Sequence, residues 1–127
     1  MDMQIEKNGQ SAFSIESILT SVKKMLGVDE GYTQFDEQII LHINSVFAVL
    51  AQLGAGPPDG FSIEDKDTSW WEYLPEEQAK RLAFIKSYMF LKVQLLFDPP
   101  LTSAVLNAKT QQAEEMEWRI KVAAEES

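Results

Sequence analysis

The stretch Phe97-Asp98-Pro99-Pro100-Leu101-Thr102-Ser103 decides how the last third of this chain folds. Proline lacks the backbone N–H, and Pro99 also drives Asp98 out of the helical region, so no helix runs through residues 98–100. The residues before it, from Tyr88 to Phe97, are almost continuously apolar, interrupted by Lys92 and Gln94. Those after it carry restart signals: Thr102 suits a helix cap, and Leu101 is placed to staple onto Leu106. The pattern predicts two helices meeting at a corner made by Phe97, Asp98, Pro99 and Pro100, with the second starting near Ser103.

On that second helix Val105, the stem of Lys109, Ala113, Met116, Ile120 and Ala123 fall on one narrow line, spaced three or four apart. This line is expected to pack on the domain. At about 100° per residue, Trp118 lies roughly 200° from Met116 and points away from the seam. Two readings follow. Trp118 covers a loop of its own chain, or it anchors another subunit together with Arg119 and Glu115, since Trp and Arg are enriched at interface hot spots.

Upstream, residues 1–12 are polar and without period, which predicts a flexible arm ahead of a single domain over residues 13–127. The first helix is expected to begin near Ser14, to bury Ile15, Ile18, Leu19, Val22, Met25 and Leu26, and to stop at Gly27. A second runs from about Phe35 to Leu53 and ends at Gly54, with Ile39, Ile43, Val46, Phe47, Leu50 and Leu53 on its main face. Leu41 and Ala48 lie on its opposite side, a candidate subunit interface. From Gly54 to Thr68 the chain reads as a long loop, of the kind used for binding or ordered by a partner, with room for one short extended piece, Phe61 to Glu64. Asp67 or Thr68 then caps a short turn carrying Trp70, Trp71 and Tyr73. These aromatics either close the core or leave one of the two tryptophans facing a neighbour. Pro75 opens the third long helix, apolar on nearly every side and therefore the buried centre, with Arg81, Lys86 and Lys92 snorkelling along apolar neighbours to reach water or carboxylates by their ends. The fold class is all-α: a single-domain bundle of about four helices with a long loop between the second and third.

A chain of 127 residues with 45% hydrophobic content supports one domain with a real core. It has no cysteine, which removes disulfides, thiol nucleophiles and cysteine metal sites. His42 is the lone histidine, and the positions four before and four after it are Gln38 and Val46, so no helical metal pair forms. The serines lie in no nucleophile elbow, and no glycine loop suits a phosphate. These patterns point away from an enzyme, a metal site or a cofactor. No apolar run reaches membrane-spanning length. The net charge of −9 lies entirely in residues 1–80, because residues 81–127 hold six basic and six acidic groups. An acidic surplus opposes sequence-specific DNA binding. It either keeps a small protein soluble or lines a passage through which DNA slides without sticking, and Glu64, Asp65 and Asp67 are the candidates for such a wall.

The chain resembles the head-to-tail connector, or adaptor, proteins of long-tailed bacteriophages and prophages. The resemblance runs from about Ile18 to Ile120 and rests on Val22-Lys23-Lys24-Met25-Leu26-Gly27, on Phe35 to Asn44, on Gln52-Leu53-Gly54-Ala55-Gly56-Pro57, on Phe97-Asp98-Pro99-Pro100 and on Glu117-Trp118-Arg119. Lys121 departs from the pattern. The resemblance implies an α-helical structural protein that assembles as a ring, commonly a dodecamer, beneath the portal protein. It also implies that the ring extends the DNA channel, receives a stopper or tail-completion protein below, and holds the portal through its C-terminal region. Its place would be the head-tail neck of the virion, reached through the host cytoplasm. A non-viral helical interaction module or small regulator is the other reading that the residues leave open.

Overall fold

The computed structural model describes residues 16–126. Helix α1 spans Ile18–Leu26, α2 Asp36–Gln52 and α3 the single turn Trp70–Tyr73; a 3-10 turn at Glu76–Gln78 leads into α4, Ala79–Phe97, and α5 is Ser103–Glu126. The four longer helices pack as the expected all-α bundle around α4, which touches α1, α2 and α5. Among the described residues the extended pairing is one isolated bridge, Ser17 to Ser69.

Each boundary has a local cause. The Ser17 hydroxyl accepts the Thr20 N–H at 3.1 Å, capping α1. The cap expected at Ser14, the burial of Ile15 and the arm at residues 1–12 lie outside the described residues. Gly27, at φ 78°, ends α1 in the left-handed conformation while Val28 N–H reaches back to the Lys23 carbonyl at 2.9 Å. Ile18, Leu19 and Val22 are buried as expected, but Met25 is 61% exposed because nothing covers the last turn on that side. Lys23 is buried instead. Its ammonium donates to the carbonyls of Glu30 at 3.0 Å and Tyr32 at 2.7 Å and sits 2.8 Å from Asp36 Oδ1. Two hydrogen bonds and an ion pair compensate the charge and fix the α1–α2 loop to α1.

The loop after α2 is organised by its own chain. The Asn44 side chain donates to the Ile63 carbonyl at 3.0 Å and accepts the Ile63 N–H at 2.8 Å. That pair satisfies the backbone where a short extended piece was expected; Phe61 to Glu64 form no strand. Phe61 packs on Phe47 and Tyr73 with ring centroids 5.0 and 5.2 Å apart. Gly56, at φ 88°, lies so close to Tyr73 that a Cβ there would stand 2.6 Å from the ring. The short turn is capped by Ser69, rather than Asp67 or Thr68, with the Glu72 carboxylate accepting Ser69 N–H at 3.0 Å.

Trp70 closes the core rather than facing a neighbour: it is fully buried, its indole N–H donates to Ser21 Oγ at 2.9 Å, and its ring abuts Phe47 and Tyr73. Trp71 is half-buried. Lys86 is buried, with its ammonium 5.3 Å from the centroid of the Trp70 ring. Burial lowers its pKa to about 8, opposed by the Glu16 carboxylate.

At the corner, Asp98 leaves the helical region at φ −147°, ψ 71°, as the residue before a proline must. The Thr102 hydroxyl faces Val105 N–H at a long 3.4 Å. The expected staple is absent: Leu101 is completely exposed, because the double proline carries it off the helix rather than back over Leu106. Pro75 begins a 3-10 turn, so α4 proper starts at Ala79 and not at Glu76.

Replacing Trp70 with alanine should lower stability by about 3–5 kcal/mol, and Ser21→Ala, which strands the indole N–H, by about 1–3 kcal/mol. Urea unfolding of both variants checks this; unchanged midpoints would remove Trp70 from its central role. Because the folded state holds Lys86 near pKa 8 against 10.5 in the unfolded chain, the unfolded chain binds more protons between those values. Lys86 should therefore make stability rise as pH climbs above about 8, until Tyr73 and Tyr88, whose phenols burial holds protonated in the fold, oppose the rise near pH 10. Lys86→Met should abolish that rise in a series of thermal melts.

Candidate functional site

α5 is attached along its middle. Ala113, Met116 and Ile120 are buried, and Glu117 accepts the Tyr88 hydroxyl at 2.6 Å while lying 3.3 Å from the Lys92 ammonium. Burial, and then the Glu117 hydrogen bond, push the Tyr88 pKa up, so the phenol stays a donor. Lys109 reaches Gln94 at 3.1 Å, as its place on the packing line requires. The ends of that line, Val105 and Ala123, are exposed. Trp118 faces away from α4 and is 64% exposed, so it does not cover a described loop of its own chain. Beside it, Arg119 Nε and Nη2 donate to Glu115 Oε2 at 3.1 and 2.9 Å. This exposed pair contributes little stability, about 0.3–0.5 kcal/mol, and leaves an indole flanked by an ordered guanidinium.

α2 carries a second bare face, where Leu41 is 69% exposed and Ala48 is also exposed. Nearby lies a feature the sequence reading missed. Tyr32, Phe35 and Phe97 form an edge-to-face series with centroids 5.5 and 5.4 Å apart, and His42 joins it 6.5 Å from Phe97. The series ties the α1–α2 loop and α2 to the end of α4 just before the proline corner. His42 thus packs against Phe97. The four aromatic positions belong to three separate segments, so no periodicity could have linked them.

The acids Glu64 and Asp65 lie with Glu30, Asp36 and Glu37 around a hollow of about 750 Å³ between the α1–α2 loop, α2 and the long loop. Asp67 is exposed and lies outside that lining, its N–H donating to Asp65 Oδ1 at 2.8 Å. A groove of about 370 Å³ runs between the start of α4 and the end of α5, lined by Lys80, Arg81, Phe84, Ile85, Arg119 and Ile120, with Ala123 at its edge. Phe84 was expected in the core; α4 has more apolar positions than its neighbours can cover, and Phe84 and Leu96 remain exposed.

Among the described residues no three His, Cys, Asp or Glu side chains converge as a metal site, and no helix is long and apolar enough to cross a membrane. The described surface carries an exposed indole, two grooves of different character and a bare helix face. Neither the curated proteins nor the solved structures yield a match to this chain. The family described as Phage connector protein matches residues 18–127, from the first turn of α1 to the end of the chain. That span includes every helix described above, and the chain therefore belongs to the phage connector protein family, whose role is structural, in the connection between head and tail.

Proposed function

We propose that this protein forms a ring in the virion neck, below the portal protein and above a stopper or tail-completion protein, and that DNA passes through the ring without sequence-specific binding. The ring is a dodecamer in this reading, assembled in the host cytoplasm. The observation that carries it is Trp118: a large aromatic held on the outer face of α5, beside the Glu115–Arg119 pair, with its own core complete without it. Trp and Arg together are the usual anchors of a protein interface, so Trp118, Arg119 and Glu115 are assigned to portal docking. The Leu41 and Ala48 face of α2 and the half-buried Trp71 are available to neighbours in the ring. Of the acids expected at the DNA passage, Glu64 and Asp65 line a hollow, which leaves Asp67 as the one assigned to an open wall. Family membership favours this reading over a non-viral interaction module.

The chain buries a complete core by itself, so the free subunit should be monomeric or weakly associating at micromolar concentration and assemble when portal is added. Sedimentation with and without portal measures this, and a tight dimer indifferent to portal would count against it. Trp118→Ala should leave the thermal midpoint nearly unchanged and weaken portal binding by about 2 kcal/mol. Loss of folding with unchanged docking of the folded fraction would place Trp118 in the core instead.

A further inference from the structure

The two grooves differ in charge and share no lining residue. The hollow belongs to α1, α2 and the long loop, whereas the groove belongs to the start of α4 and the end of α5, and α5 makes its main helix contact with α4. In the hollow, Lys23 is already engaged with Asp36, which leaves Glu30, Glu37, Glu64 and Asp65 against one exposed cation, Lys66. In the groove, Lys80, Arg81 and Arg119 surround the exposed ring of Phe84. Their described partners are the neutral Gln78 for Arg81 and the Glu115 carboxylate for Arg119.

We infer that neighbouring subunits join by seating the cationic groove of one copy, at Lys80, Arg81 and Phe84, on the acidic hollow of the next, at Glu30, Glu37, Glu64 and Asp65. This rests on the ring reading and names the surfaces that make the ring. A two-fold dimer through either surface would set like charges face to face, which opposes association. Groove on hollow uses two different patches of each chain, so every subunit keeps one free donor surface and one free acceptor surface. Such a contact repeats head to tail and closes into a ring when its rotation permits. The contact is mostly charged at its rim, with Phe84 as its apolar anchor, which accounts for a free subunit that needs a template to associate.

The test is charge exchange. A groove variant, Lys80→Glu with Arg81→Glu, and a hollow variant, Glu64→Lys with Asp65→Lys, are each assembled on portal and followed by sedimentation at low and high salt. Each alone should associate about tenfold or more weakly than the original chain. An equimolar mixture of the two should recover assembly, because each reversed surface then finds its complement on the other variant. Two folded variants that each form the ring as the original chain does would overturn the pairing while leaving the ring standing. Failure of the mixture would overturn it as well. An unaltered chain that forms no ring on portal would remove the ring reading itself. Because the chain contains no cysteine, Lys80→Cys combined with Glu64→Cys offers a check that does not depend on charge. Oxidation of that variant on portal should give a ladder of covalent oligomers, and a ladder no greater than that of either single-cysteine chain would overturn the contact.

Discussion

The indole of Trp70 is the contact on which the rest of the structure depends. It follows a long segment without helix or strand, and such a segment has no ladder of backbone hydrogen bonds to hold it. Its ring fills the space between Phe47, Tyr73 and the Lys86 ammonium, and its N–H ends on Ser21 in α1. On either side of it the backbone is tied down as well, Ile18 N–H to the Thr68 carbonyl at 2.9 Å and Trp70 N–H to the Glu16 carbonyl at 3.4 Å. One side chain thus joins α1, α2, α4 and the loop, and makes the loop part of the domain without help from a partner.

With the loop placed, the acids it carries have a fixed position. Asn44 holds Ile63 from α2, and Glu64 and Asp65 follow directly at the mouth of the hollow. Lys23 does the corresponding work on the other wall, gathering Glu30, Tyr32 and Asp36 around one ammonium. A buried lysine held by two carbonyls and a carboxylate is an organising centre, since any rearrangement of the loop would leave a charge uncompensated. The acidic hollow is therefore a consequence of how two loops are anchored.

α5 is a long helix fastened at its centre. Glu117 bridges to Tyr88 and Lys92 while the apolar contacts of Ala113, Met116 and Ile120 lie on either side of it. The outer face, with Trp118, is exposed.

Much of this was determined by the sequence alone. The double proline after Phe97 fixes a corner whatever the surroundings, because it acts through covalent geometry and a missing donor. Gly27 and Gly54 end their helices for reasons equally local, and the outward direction of Trp118 follows from helical period once Met116 is on the seam. Tertiary structure decided the rest. Trp70 and Trp71 are adjacent and identical, and only the packing of Phe47, Tyr73 and Ser21 buries one and leaves the other half-covered. Lys23 and Lys86 are buried where a lysine is ordinarily solvated, because acceptors or an aromatic face from distant segments surround them. Phe84 and Leu96 are exposed although α4 is apolar on nearly all sides, since three neighbours cannot cover a whole helix. Period and propensity depend on a residue and its near neighbours, whereas burial, charge compensation and grooves depend on segments brought together by folding.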